Sequence, residues 1–199
     1  FWCCNAFITE LQHVIESCEL KNISVKIAPG GCSATPQKDS GEIEKKFKDL
    51  YSDVDFVNVM TASVCRKCYS ENFETEKSRH LSYDICLEWV APPEFIAWLI
   101  KSNYYITTPG WIKSWETTVI EKWKFNKETA EMFFAESAKE ILLLDTKVYE
   151  DSYLEKLKSF SDFVKLPYKI IPVGIDYFKQ SVLLQIKDDT ISLLEEDNN

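Results

Sequence analysis

The sequence predicts an α/β fold: two Rossmann-like lobes of parallel sheet covered by helices, with a cleft between them. Three observations carry the prediction. Short apolar runs alternate with stretches of helical period through both halves of the chain, the order expected of strands joined by covering helices. Cysteines recur just past the apparent strands of the first half. An unusual Pro-Gly stretch, Asn103 to Trp111, stands at the junction of an N-terminal lobe, 1–100, which carries the cysteine site, and a C-terminal lobe, 101–199, with an acidic tail.

Phe1 to Cys4 reads as the end of a first strand, a few residues of which are expected before Phe1. Asn5 suits a helix cap, and Phe7, Leu11, Val14, Ile15 and Cys18 then form one apolar helical face. Cys18 lies in that stripe, which assigns it to packing; His13 lies off it and is expected in solvent. Asn22 to Ala28 alternates as a second strand and ends at Pro29-Gly30-Gly31, with Cys32 next. The glycine pair reads as a turn, or as a cradle for an anion. Ile43, Phe47 and Leu50 mark a helix leading to a third strand, Val54 to Met60. After a polar stretch, a helix is expected from Ser82 through Val90. Pro92-Pro93 breaks it, and Pro93 opens another, with Phe95, Trp98 and Leu99 on its apolar face.

The second half repeats the rhythm. Tyr104 to Thr107 is a short strand delivered into a Pro-Gly turn. Lys127 to Lys139 reads as a helix and Glu140 to Leu144 as a buried strand ending in Asp145-Thr146. Tyr153, Leu157, Phe160 and Val164 form a helical stripe. Tyr168 to Val173 is a strand ending at Gly174, and Asp176 to Ile186 a last helix. From Lys187 onward the acidic tail is expected to fray.

Composition narrows the function. Of 199 residues, 45% are hydrophobic, enough for a substantial core, and the net charge is −9 with a pI near 4.9. That acidity argues against nucleic acid and anionic membranes, which call for concentrated Lys and Arg. No apolar run is long enough to span a bilayer. Seven cysteines, with no secretory signal in view, favour free or metal-bound thiols in a reducing cytoplasm.

The chemistry centres on Thr61-Ala-Ser-Val-Cys65-Arg-Lys-Cys68-Tyr69. A Cys-x-x-Cys at a strand's exit puts two thiols on one loop, close enough to share a metal ion. With Cys86 at long range, the spacing resembles most of a four-ligand set. Cys4 or Cys32 is expected to complete it, with His80 as the alternative. Thiolates suit zinc and iron–sulfur clusters alike. A redox dithiol is a further reading, since Arg66 and Lys67 favour thiolate. A hydrolase finds little support: there are two histidines, and no nucleophile elbow, phosphate loop or dinucleotide fingerprint occurs. Trp111 and Trp115 stand one helical turn apart, placed either to stack on a flat ligand or each other, or to pack a hinge between the lobes. Thr108, Gly110 and Trp111 are the candidate cofactor-binding residues. Their turn is expected to face the cysteine loop across the cleft.

Tyr104-Tyr105-Ile106-Thr107-Thr108-Pro109-Gly110-Trp111 resembles the Tyr-Tyr-Leu-Thr-Pro-Gly-Trp signature of a domain-of-unknown-function family of anaerobic archaea and bacteria. Cys4 resembles its early strand cysteine, Cys65 and Cys68 its middle cysteine loop, and His80, Asp84 and Cys86 its His-Asp-Cys run. Ile141-Leu-Leu-Leu-Asp145-Thr146 fits its second half. This chain departs from the family pattern in having Arg66-Lys67 and Tyr69-Ser-Glu where a Gly-rich loop is expected. The resemblance implies an α/β protein with a cysteine site, linked to corrinoid-dependent methyl transfer. The expected function is therefore metal or iron–sulfur binding, in a binding or sensing role in metallocofactor or methyl-group metabolism. The alternative is a metal-dependent enzyme of redox or methyl-transfer chemistry. The expected partners are a small molecule or metallocofactor and a corrinoid or methyltransferase protein.

Overall fold

The computed structural model describes residues 1–28, 40–51, 54–62 and 78–196. Among these residues the strands form two sheets in which all neighbours run parallel. The first contains β1 (Trp2–Cys3), β2 (Lys26–Ile27), β3 (Val57–Ala62) and β4 (Ser78–Tyr83), in the order β2-β1-β3-β4. The second contains β5 (Tyr104–Thr107), β6 (Glu140–Asp145) and β7 (Tyr168–Pro172), in the order β5-β6-β7. The expected α/β class with parallel sheets is what the chain adopts.

Helices join the strands: α1 (Ile8–Ser17), α2 (Ser40–Tyr51), α3 (Pro93–Lys101), the short α4 (Pro109–Ile112), α5 (Lys127–Ser137), α6 (Ser152–Val164) and α7 (Asp176–Glu196). Their ends follow local chemistry. Pro93 takes the first turn of α3, where its missing N–H costs nothing. The Asn126 side chain accepts from Thr129 N at 2.8 Å and caps α5. Lys165 ends α6 with a left-handed φ of 53°.

Strand β6 sits between two apolar layers, as its unbroken run Ile141 to Leu144 anticipates. Ile141 and Leu143 face one core with Phe134 of α5 and Leu157 and Phe160 of α6. Leu142 and Leu144 face the other, larger core, following the alternation of a pleated strand. That larger core draws on both halves of the chain. Phe7, Leu11 and Val14 meet Phe178 and Val182 of α7, and Met60, Trp89, Ile96 and Leu99 complete it. The Phe7 and Phe178 rings lie 6.2 Å apart. Cys18 is half-buried against this cluster beside Ile15. Cys18→Ala is expected to lower stability by about 1 kcal/mol, measured by urea unfolding.

Several local expectations are corrected. Residues 78–83 form strand β4, and only a 3₁₀ turn, Cys86–Trp89, follows where a helix from Ser82 was expected. The Ser-Arg-His-Leu-Ser-Tyr sequence carries little strand propensity; pairing along the whole of β3, from Val57 opposite Ser78 to Ala62 opposite Tyr83, decides it. A 3₁₀ turn, Asn5–Phe7, precedes α1, so Asn5 lies within that turn and Phe7 stands at the position before the helix. Strand β2 covers only Lys26–Ile27, because it is an edge strand with both residues exposed. Helix α7 continues to Glu196 through the segment expected to fray.

A seam at the carboxyl ends of the strands

In the first sheet the chain passes from β1 to β2 on one side, then crosses to β3 on the other. Ligands in open parallel sheets bind beyond the carboxyl ends of strands at such a reversal. Cys4 leaves β1 at this point and is half-buried; Cys3 is fully buried and its Sγ–H donates to the Cys4 carbonyl at 3.4 Å. Burial pushes the Cys3 thiol well up, and the neighbouring Cys4 and Glu10 push it further. Cys86, also half-buried, opens the 3₁₀ turn after β4. Glu88 belongs to that turn's architecture: its Oε2 accepts from Asp84 N at 3.0 Å and Ile85 N at 3.4 Å.

Other predicted ligands are not placed. Cys32, Cys65 and Cys68 lie outside the described residues. His80 stands on β4 opposite Val59, with its side chain outside the description. Among the described residues, no three His, Cys, Asp or Glu side chains are grouped to hold a metal ion.

The Pro-Gly turn is placed. Thr108 is buried, and its Oγ1 accepts from Trp111 N at 3.4 Å, capping α4. Gly110 lies against the turn that follows Cys4: a Cβ there would stand 2.1 Å from the Ala6 carbonyl oxygen and 2.6 Å from the Tyr149 hydroxyl. A side chain would force these segments apart, so glycine is required by the close approach of backbones. Trp111 packs against Tyr105 and Phe160, with ring centroids 5.6 and 5.4 Å away. Trp115 is buried against Phe160 and Phe163. Both indoles thus serve the second core. The turn meets the exit of β1 at Ala6; how it stands to Cys65 and Cys68 lies outside the described residues.

Next to this contact lies a polar cluster that the sequence reading missed. Glu10 of α1 is fully buried. Its Oε1 accepts from Thr146 Oγ1 at 3.1 Å, and its Oε2 from the Tyr149 hydroxyl at 2.8 Å. Both partners follow β6. Burial raises the Glu10 carboxyl from 4.5 to about 7, although the two hydroxyl bonds work in the opposite direction. Burial, with the adjacent Glu10 carboxylate, raises Tyr149 as well. Lys113 reaches over the Tyr149 ring, 5.5 Å from its centroid.

Asp145, one residue before Thr146, has the opposite character. Burial alone would raise it, but hydrogen bonds from Lys147 and Tyr153, with the Lys147 charge, outweigh burial and hold it below the usual range. Its carboxylate accepts from Lys147 N at 2.9 Å and the Tyr153 hydroxyl at 3.0 Å. Two buried acids on one seam are therefore set apart by their partners, Asp145 ionised beside an ammonium and Glu10 facing neutral hydroxyls. The signal for Glu10 was present in the sequence: it lies three residues after Phe7 and four before Val14, inside the apolar stripe of α1.

No helix among the described residues is long and apolar enough to cross a membrane. No curated protein and no solved structure matches the chain. Residues 86–182, just under half of the chain, match the model of a family described as a protein of unknown function, DUF1638. The match takes in the second sheet, the Thr108–Trp111 turn and the Asp145–Tyr149 side of the seam, so this part of the chain is similar to an uncharacterised domain-of-unknown-function family.

Proposed function

We propose that the protein binds a metal ion or iron–sulfur cluster through thiolates at the carboxyl edge of the first sheet. Cys4, Cys65, Cys68 and Cys86 are the preferred ligands, with Cys32 next and His80 the alternative. One observation carries this reading. Strands β1, β3 and β4 are neighbours in the sheet, and each is followed in the chain by a cysteine within three residues: Cys4 after Cys3, Cys65 after Ala62, Cys86 after Tyr83. Three residues reach at most about 11 Å, so the chain lengths allow one centre to be shared by thiols that follow three adjacent strands. Soft thiolate donors select zinc or iron–sulfur clusters over hard cations.

The role that fits is binding or sensing in metallocofactor or methyl-group metabolism, linked to corrinoid systems, in the cytoplasm of an anaerobe. What supports it is the resemblance of Tyr104–Trp111 to the signature of the corrinoid-linked family. Enzymatic use of the centre, in redox or methyl transfer, is favoured by one feature: the Glu10 carboxyl titrates near neutrality within electrostatic reach of Cys3.

Anaerobically purified protein is expected to contain stoichiometric zinc or iron, read by elemental analysis and an ultraviolet–visible spectrum. Cys4→Ser and Cys86→Ser should lower that content, and Cys18→Ala should leave it unchanged. Protein that contains neither metal, and takes up neither under reducing conditions, would overturn the reading. X-ray absorption separates the two roles: a closed four-thiolate shell fits sensing, and an open position fits catalysis.

A further inference from the structure

The Glu10 cluster lies where the two halves of the chain meet, and it contains none of the proposed thiolate ligands. We propose that Glu10 is a proton-operated latch: its neutral carboxyl holds α1 to the segment Thr146–Tyr149, and its ionised form releases that segment. The contact is built entirely from side chains that reach across the seam. Thr146 and Tyr149 stand 136 and 139 residues from Glu10 in the chain, and they occupy its two oxygens separately. Both hydroxyls donate to the carboxyl as placed, which by itself favours the ionised form. The full burial of Glu10 outweighs them, and a neutral carboxyl keeps the contact by donating to one hydroxyl and accepting from the other.

An ionised carboxyl keeps its two hydroxyl donors but has no cation paired with it among the described residues. The groups facing it are the Tyr149 phenol, the Thr146 hydroxyl and, from β1, the Cys3 thiol, whose pKa its charge raises. Charges nearby are otherwise engaged: Lys147 is paired with Asp145, and Lys113 lies over the Tyr149 ring. Across α1, helix α7 offers Phe178 and Val182 to the shared core. A desolvated carboxylate with only neutral donors gains most by meeting water. At this position water enters when α1 and residues 146–149 part. Release of the proton and opening of the seam are therefore linked.

The direction follows from the linkage. The closed form holds the proton up to about pH 7, and an opened, solvated Glu10 only to about 4.5. Between these values the opening constant should rise about tenfold per pH unit, roughly 300-fold in all, and level off above pH 7.

The test is amide hydrogen exchange of the full-length protein from pH 4.5 to 8.5, corrected for the intrinsic pH dependence of exchange. Protection of residues 5–11 and 145–149 is expected to fall through this window in wild type while α3 keeps its protection. Glu10→Gln should remove the pH dependence. Tyr149→Phe keeps the carboxyl but deletes a bond that favours its ionised form, so the midpoint should move to higher pH. Protection in wild type that does not change with pH, or an unchanged midpoint in Tyr149→Phe, would overturn the latch. The experiment needs no metal, so its outcome is independent of the thiolate centre.

Discussion

Glu10→Gln is expected to stabilise the protein by roughly 3 kcal/mol at pH 8 and by almost nothing below pH 4.5, the difference following from about 1.4 kcal/mol per unit of pKa shift. The carboxyl titrates at about 7 in the folded chain against 4.5 when solvated. Below 4.5 both folded and unfolded chains carry the proton. Between 4.5 and 7 the unfolded chain releases it and the folded chain retains it, so wild-type stability falls as pH rises, and it levels above 7. Glutamine mimics the neutral acid: its amide can donate to one hydroxyl of the Thr146–Tyr149 pair and accept from the other. Urea unfolding of both proteins at a series of pH values gives the difference directly, with the other carboxylates cancelling. Parallel curves across the whole range would show that Glu10 is solvated in the native state.

Phe160→Ala should cost about 4 kcal/mol, the range for emptying a large aromatic site in a packed core. Phe160 is fully buried on α6. Its ring meets Tyr105 at 6.0 Å, Trp111 and Trp115 at 5.4 Å, and Phe134 at 5.3 Å. One side chain thus joins β5, α4, α5 and α6, and collapse around the gap would have to move several elements at once. The variant should also shift tryptophan emission, because two indoles lose a ring contact. A loss under about 1 kcal/mol in denaturant unfolding would mean that these rings do not form one packed unit.

Where a residue's role is decided by its near neighbours in the chain, it could be read in advance. The stripe Tyr153, Leu157, Phe160 and Val164 marked α6, because a helix repeats its buried face every three or four residues. The run Ile141 to Leu144 marked a doubly covered strand, and Pro93 marked the start of α3. From alternating strands and helices the parallel α/β class followed. In each case propensity and burial pattern agree over a window of ten or so residues.

Pairing across the chain decided the rest. Strand β4 exists because β3 offers it a complete ladder, a partner invisible from its own polar sequence. Gly110 is required by the Ala6 carbonyl, more than a hundred positions away. Trp111 is held by Phe160, on a helix that begins forty residues later. Glu10 stands inside the apolar stripe of α1, but the partners that hold its carboxyl, Thr146 and Tyr149, came only with folding. Composition determined the acidity of the chain, and the local order of apolar patterns determined its parallel α/β class. The acid that titrates near neutrality came only from tertiary structure, because desolvation belongs to the assembled surroundings of a group and not to its place in the sequence.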